Sequence, residues 1–164
     1  MIKLTDHLFN EKVQAMALLH HEIDESSVKK HDGYCSYVLE GKKLGEEVIM
    51  KISHSSRIEK EQLASELDFT LHLKNHHVKI CSPLTLSKDI FEINDGEDGV
   101  FYSNLYQKVS GTDLSEKKDK SEADLQEIGK ILASLHKSSL SFDFKNHSRR
   151  LSFINRDFVN YKKI

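Results

Sequence analysis

The sequence predicts an α+β fold built on a mostly antiparallel sheet. Runs of β-branched and apolar residues follow one another across short glycine turns, which is typical of antiparallel strands joined by hairpins. Helical periodicity occurs before, between and after these runs, without the regular strand–helix alternation of a parallel sheet. A length of 164 residues makes one domain the natural expectation and two the upper limit.

The first half of the chain is expected to form one helix followed by three strands. The helix is predicted from apolar residues at helical spacing: Phe9, Val13, Met16 and Leu19. Asp6 is a candidate N-cap for it. The strands are expected near residues 27–30, 36–40 and 48–52, with turns at Asp32-Gly33 and at 41–45.

The second half is expected to alternate between helix, strands and helix. A helix is predicted over 57–75, two strands over 84–94 and 100–107, and a last helix over 122–137. The segment 95–99 has favourable hairpin chemistry, and the polar residues 111–120 predict a linker. Ser121 and Asp124 have the spacing of a capping box. The last helix carries an apolar stripe of Leu125, Ile128, Leu132 and Leu135.

Composition and charge exclude several classes of protein. With 24 Lys and Arg against 26 Asp and Glu, a net charge of −2 gives no sign of a nucleic-acid or membrane binder. No apolar run approaches the roughly 18 residues of a membrane span, and the N-terminus lacks the apolar core of a secretion signal. Cys35 and Cys81 form no C-x-x-C pair, so a reducing, cytoplasmic setting is expected.

Lys51 is the first candidate functional residue, because it lies inside an apolar strand. A buried ammonium needs an anionic partner or a phosphate, since desolvation of the charge is costly. The alternation of side chains also permits a simpler interpretation, in which Val48, Met50 and Ile52 share one face and Lys51 lies on the solvent face of an edge strand.

Glu66 is the second candidate, because it lies on the apolar side of a predicted helix. At about 100° per residue, it falls inside the arc formed by the leucines of this helix, Leu63, Leu67, Leu71 and Leu73. Glu59, two turns earlier, is a rival on the same side. A carboxylate in this position can also simply mark the edge of the apolar stripe.

Taken together, the two residues point to nucleotide chemistry. Kinases hold ATP phosphates with a strand lysine that is oriented by a glutamate on the next helix. The glycine turn at 32–36, ahead of the lysine strand, offers backbone N–H groups that could face phosphate. This turn is not a G-x-G-x-x-G, and an ordinary hairpin turn is the alternative.

The order of these parts resembles the N-terminal lobe of the aminoglycoside phosphotransferase and choline kinase group, which are small-molecule kinases with a protein-kinase-like fold. The resemblance covers roughly residues 10–140. It rests on the turn and strand Gly33-Tyr34-Cys35-Ser36-Tyr37-Val38-Leu39, the lysine strand Val48-Ile49-Met50-Lys51-Ile52 and the helix bearing Glu66. It continues through Val78-Lys79-Ile80-Cys81-Ser82-Pro83-Leu84, Leu105-Tyr106-Gln107-Lys108-Val109-Ser110-Gly111 and Ile128-Gly129-x-x-Leu132-Ala133-x-Leu135-His136.

The resemblance implies a protein-kinase-like N-lobe with a five-stranded sheet and one packed helix, over residues 1–111. Residues 112–164 would be a linker and the first helices of an incomplete helical C-lobe. The implied ligand is ATP with Mg²⁺, whose metal ligands are expected outside these residues.

The resemblance also implies roles for individual residues. Lys51 would contact the α- and β-phosphates and Glu66 would pair with it. The turn residues Gly33, Tyr34, Cys35 and Ser36 would cover the phosphates. Backbone groups of Gln107 and Val109 would bind adenine, between apolar side chains such as Val38, Ile49 and Leu105.

The catalytic loop of that family, H-G-D-x-x-x-x-N, does not occur in the sequence. The nearest segment, Asn155-Arg156-Asp157-Phe158-Val159-Asn160, has the wrong spacing and is interpreted as a coincidence. We therefore expect these residues alone not to transfer phosphate. The alternative hypothesis is a non-catalytic interaction module, in which apolar surface left by an absent C-lobe drives association with a second copy or a partner chain.

Two possible metal motifs are weaker. His72 and His76 have an i, i+4 spacing that can hold zinc, with His77 and Cys81 nearby, but a polar helix face is the simpler interpretation. The segment 95–99 lacks the glycine position of a calcium loop. No metal ligand is therefore assigned.

Overall fold

The computed structural model describes residues 9–31, 33, 36–94, 99–111 and 119–143. Its helices are α1 (Glu11–His21), α2 (Lys60–Asn75) and α3 (Glu122–Ser139). Its strands are β1 (Ile23–His31), β2 (Tyr37–Lys43), β3 (Glu46–His54), β4 (Phe91–Asn94) and β5 (Val100–Gln107). The strands form one five-stranded sheet in the order β1-β2-β3-β5-β4, and each neighbouring pair is antiparallel. The predicted α+β class with an antiparallel five-stranded sheet is confirmed.

The sheet carries a helix on each face. The larger core joins Val13, Ala17 and Leu18 of α1 to the inward residues of the sheet, among them Leu39, Met50, Ile52, Phe101 and Leu105. A second core lies on the other face, where Leu63 and Leu67 of α2 pack with Ile90 and Tyr102. Because side chains alternate across a strand, each strand contributes to both faces. We call these the α1 face and the α2 face.

The N-terminal helix begins later than the sequence suggests. Its N-cap is Asn10, whose side chain accepts a hydrogen bond from the Val13 N–H at 3.0 Å. Asp6, the expected cap, lies outside the described residues. The buried stripe also differs from expectation, because Leu19 is 81% exposed while Ala17 and Leu18 are buried.

Two predicted boundaries are wrong. Gly41 belongs to β2, and the turn into β3 is Leu44-Gly45, where both residues have positive φ. The expected strand 84–94 shrinks to Phe91–Asn94. Before it, Pro83 forms only an isolated bridge to Tyr106, and a short 3-10 turn occupies Ser87–Asp89. Proline removes a ladder donor and a polar Ser-Lys-Asp run favours a turn, so this stretch cannot continue the sheet.

The last described helix is capped as predicted but is not buried as predicted. Ser121 accepts from the Asp124 N–H at 3.2 Å, and the Asp124 carboxylate accepts from the Ser121 N–H at 2.8 Å. Both contacts of the predicted capping box are therefore present. Along the apolar stripe, however, Leu125 is 56% and Leu132 51% exposed. The C-terminal end of α3 instead contacts α2, where the Ser138 carbonyl lies 2.9 Å from His72 Nε2.

Candidate functional site

Lys51 projects from the centre of the sheet onto the α2 face. Its neighbours Met50 and Ile52 are fully buried on the α1 face. β3 lies between β2 and β5, so the interpretation of Lys51 as a residue of an edge strand is wrong. The side chain is one-third exposed, which leaves its cationic head accessible.

Glu66 meets Lys51 across the gap between α2 and β3. Lys51 Nζ lies 4.0 Å from Glu66 Oε2, and the glutamate side chain is only 16% exposed. The Thr70 hydroxyl donates to the Glu66 carbonyl at 2.7 Å within the helix. Glu59, the rival carboxylate, is exposed and precedes the first helical residue. Lys51 and Glu66, the two candidates from the sequence, thus form one loosely spaced ion pair, in which the carboxylate is largely shielded from water and the ammonium group is partly exposed.

The glycine turn lies between β1 and β2. A side chain at Gly33 would place its Cβ only 2.1 Å from the Ser36 carbonyl oxygen, so the close approach of these backbones requires glycine. Ser36 is buried. Tyr34 and Cys35, the other predicted turn residues, lie outside the described residues.

Gln107, the last residue of β5, and Val109, in the segment that follows, are both exposed. The Gln107 N–H donates to the Ser82 carbonyl at 2.8 Å, and the Gln107 carbonyl accepts from the Cys81 thiol at 2.8 Å. Burial raises the pKa of Cys81, which keeps the thiol protonated as a donor. A carbonyl oxygen has two lone pairs, so Gln107 can accept a second donor. Sequence reasoning did not connect Cys81 to this site.

The residues that share a face with Lys51 follow from the strand register. Val38 is the direct partner of Lys51, and Ile49 is the direct partner of Tyr106. Both Val38 and Ile49 therefore lie on the α2 face, where an adenine ring was expected. Leu105 does not, because it is buried in the core on the α1 face. Tyr106, which sequence reasoning missed, occupies the α2 face in its place.

A charged cluster borders this face next to the segment that follows β5. Lys108 Nζ lies 3.0 Å from Glu40 Oε1 and 3.2 Å from Glu47 Oε2. His31 Nε2 contacts Glu40 Oε2 at 3.0 Å, and Lys29 lies 3.8 Å from the same carboxylate. Hydrogen bonds from Lys108 and His31 lower the pKa of Glu40. Its negative charge is thereby stabilised among three basic side chains.

The histidines singled out for zinc spacing are engaged in other contacts. His76 Nδ1 lies 2.9 Å from the His72 carbonyl, and the Ser141 hydroxyl lies 3.2 Å from His72 Nε2. Among the described residues, no three His, Cys, Asp or Glu side chains come together as a metal site would require. The same part of the chain contains no helix with the length and apolarity to cross a membrane.

Comparison with known proteins decides the family. The model of the phosphotransferase enzyme family (APH) matches residues 33–163, which is most of the chain. The chain belongs to this family. The matched span includes the glycine turn, Lys51, Glu66 and the segment after β5.

Individual proteins similar to this chain are kinases. Amicoumacin kinase of Bacillus subtilis (strain 168) is 27% identical over 138 residues, covering 83% of this chain and 41% of the relative. The structure of amicoumacin kinase hAmiN, in complex with AMP-PNP, Ca²⁺ and Ami, superposes with a TM-score of 0.82. It is 21% identical and covers 99% of this chain and 50% of that one. A microcompartment-associated aminopropanol kinase superposes with a TM-score of 0.71 at 17% identity, covering 93% of this chain and 48% of that one. The chain thus spans about half the length of these proteins or less, and its fold is kinase-like.

Proposed function

We propose that the chain is the nucleotide-binding part of a small-molecule phosphotransferase, which moves the γ-phosphate of ATP to a substrate hydroxyl. The observation that carries the proposal is the ion pair between Lys51 and Glu66. A strand lysine oriented by a helix glutamate is the device by which kinases hold ATP phosphates. Family membership and the fold support the same conclusion.

The proposed site is the α2 face between the glycine turn and the segment after β5. Lys51 binds the α- and β-phosphates, and Glu66 keeps its ammonium group in position. The turn at Gly33 and Ser36 covers the phosphates, with Tyr34 and Cys35 completing it. Val38 and Ile49 contact one side of the adenine ring.

Backbone groups of Gln107 and Val109 bind the adenine edge. Residues 1–111 then form the nucleotide-binding lobe, and residues 112–164 form the linker and the start of a second lobe. Leu125 and Leu132 on the apolar stripe of α3 are exposed, so they offer a surface against which the second lobe can pack.

These residues alone are not expected to complete the reaction. Phosphoryl transfer needs a base that orients the attacking hydroxyl, and the family motif that supplies it is absent from the sequence. The relative hAmiN was solved with a nucleotide analogue and Ca²⁺, which supports ATP and a divalent cation as ligands of the complete protein. A bound Mg²⁺ would neutralise charge on the phosphates. Because the described residues bring together no metal-ligating trio, no residue here is assigned to it.

Nucleotide binding is tested by thermal unfolding of the 164-residue chain during titration with AMP-PNP and MgCl₂. A ligand that binds only the folded state adds about 2.7 kcal/mol of stability when its concentration is a hundred times its Kd. We expect a dose-dependent rise in Tm for the wild type, and a much smaller rise for Lys51→Ala at the same nucleotide concentrations.

Lys43→Ala is the matched control. Lys43 is also a strand lysine, is 32% exposed and pairs with Glu22 at 3.0 Å, but it lies at the far end of β2. This variant should keep the full rise. An equal rise in Lys51→Ala and wild type would contradict the assigned site. No rise in the wild type would contradict nucleotide binding and favour the interaction-module hypothesis.

A further inference from the structure

Among the described residues, Asn104 is the one whose buried side-chain polar atoms have no hydrogen-bond partner. It lies in the middle of β5 and is fully buried. Neither its Nδ2 nor its Oδ1 atom makes a hydrogen bond within the described part of the chain. A buried amide with both ends unpaired is costly, because folding removes it from water without replacing the lost hydrogen bonds.

The position of Asn104 relates it directly to the ion pair. In the β3–β5 ladder, Asn104 is the register partner of Lys51. Partner residues in antiparallel strands project from the same face, with Cβ atoms about 5 Å apart. Asn104 therefore projects onto the α2 face next to Lys51, whose ammonium group lies 4.0 Å from Glu66.

The spacing of the ion pair leaves the ammonium group of Lys51 with unused capacity. A distance of 4.0 Å is longer than a hydrogen bond, so Glu66 attracts the charge without fixing its direction. A lysine ammonium carries three N–H donors. In a nucleotide complex, one donor serves Glu66 and one serves phosphate, which leaves one for a neighbouring acceptor.

We propose that Asn104 is a positioning residue for nucleotide binding, whose Oδ1 accepts a hydrogen bond from Lys51 Nζ when phosphate is bound. This inference rests on the function proposed above. Asn104 does not touch the nucleotide. It restricts the flexible lysine to the orientation in which its charge faces the phosphates, and in return its buried acceptor gains a partner.

The test compares two β-branched replacements of nearly the same shape. Asn104→Val removes the polar group, whereas Asn104→Thr keeps a hydroxyl acceptor. We expect the Kd for AMP-PNP with MgCl₂, measured by calorimetry on the 164-residue chain, to rise about tenfold in Asn104→Val and no more than about threefold in Asn104→Thr. Without nucleotide, Asn104→Val should have a higher Tm than Asn104→Thr, because the valine variant buries no unpaired polar atom.

A double-mutant cycle with Lys51→Ala separates positioning from packing. If Asn104 acts through Lys51, Asn104→Val changes the remaining affinity less than about twofold in the Lys51→Ala background. Equal affinities of the Val and Thr variants would overturn the inference, as would a full tenfold effect in the Lys51→Ala background.

If either replacement fails to fold, the side-chain amide resonance of wild-type Asn104 provides the same decision by NMR. It must shift when AMP-PNP saturates the wild type and stay unshifted when AMP-PNP saturates Lys51→Ala.

The two proposals fail in different ways. Wild-type protein that does not bind AMP-PNP contradicts the nucleotide function, and the role of Asn104 falls with it. Wild-type protein that binds and loses affinity in Lys51→Ala, while the Val and Thr variants bind alike, contradicts only the role of Asn104.

Discussion

Lys108 Nζ lies 3.0 Å from Glu40 Oε1, which ties the segment after β5 to the middle of β2. A second contact, at 3.2 Å to Glu47, joins the same lysine to β3. Hydrogen bonds to the two carboxylates raise the pKa of Lys108, so the lysine stays charged. Because Lys108 stands between Gln107 and Val109, this pairing restrains the backbone groups proposed to bind adenine.

Replacing Lys108 should therefore weaken nucleotide binding with little effect on stability. We expect Lys108→Met to raise the Kd for AMP-PNP about threefold, because a partly exposed ion pair contributes little to folding but here restrains a binding segment. The control is Lys29→Met, which removes the other lysine of the Glu40 cluster from a side chain that is 72% exposed. Calorimetric titration of both variants checks this, and equal affinities would show that Lys108 does not restrain the site.

The glycine turn supplies a second prediction. Gly33→Ala forces a Cβ against the Ser36 carbonyl, so the turn must open. We expect a loss of about 1–3 kcal/mol in the free energy of unfolding, together with weaker AMP-PNP binding. Chemical denaturation and calorimetry measure the two effects.

Gly129→Ala is the control for the same substitution at a position without crowding. A Cβ at Gly129 meets no atom within 4 Å, and the residue lies in the exposed interior of α3. Alanine is the better helix former, so this variant should be more stable by up to about 1 kcal/mol. A Gly33→Ala protein as stable and as tightly binding as the wild type would show that the turn tolerates a side chain.

His21 makes the stability of the fold depend on pH. Burial on the α1 face lowers its pKa from 6.5 to about 4, with Nε2 held 2.6 Å from the Ser103 hydroxyl. In the unfolded chain, His21 binds a proton as the pH falls below 6.5. In the folded chain, its imidazole stays neutral until the pH reaches about 4. The stabilisation is complete above pH 6.5 and is lost as the pH falls through this window.

We expect this residue to account for at most about 2 kcal/mol of lost stability over that window, allowing for solvent screening. Urea denaturation at several pH values checks the slope. The non-titrating variant His21→Gln should show a flatter dependence between the two pKa values, even if it is less stable throughout. Parallel curves for the two proteins would contradict the assignment to His21.

The capping box of α3 gives a prediction for stability alone. Ser121→Ala removes an acceptor for the Asp124 N–H and should cost about 1 kcal/mol. Ser134→Ala, a control in the same helix, removes only a bond to the Ile131 carbonyl and should change stability by less than about 0.5 kcal/mol. Equal effects of the two substitutions on denaturation midpoints would contradict the cap.

Periodicity singled out Lys51 and Glu66 as candidates, although it left a simpler interpretation open for each. Alternation in β3 separated Lys51 from Met50 and Ile52, and the helical wheel placed Glu66 on the inner side of α2. The pairing of the two residues was implied by the resemblance to small-molecule kinases, in which a helix glutamate orients a strand lysine. The register of the sheet could not be obtained in this way, because it depends on which residues face each other across strands distant in sequence.

The unpredicted strand register explains why Leu105 was placed on the wrong face and why Asn104 was not singled out. Leu105 was expected beside adenine because it is apolar, but the pairing of Ile49 with Tyr106 places Leu105 on the opposite face. No sequence pattern singles out Asn104, because its proposed role depends on its register pairing with Lys51. The strand predicted over 84–94 is wrong in its first part for a local reason, because Pro83 forms only an isolated bridge to Tyr106 and the polar run Ser87–Asp89 forms a 3-10 turn.

The outer strand β1 limits how copies of this chain can associate. Its register with β2 shifts between Asp24 and Lys29, and hydrogen bonds from Ser26 and Ser27 to Asp24 hold the irregular segment. Most of its nine residues are exposed, and they include charges of both signs. A bulged, charged edge is a poor template for adding another strand. Fusion of two sheets into one continuous ribbon through β1 is therefore disfavoured, so a second copy of the chain would have to associate through another surface.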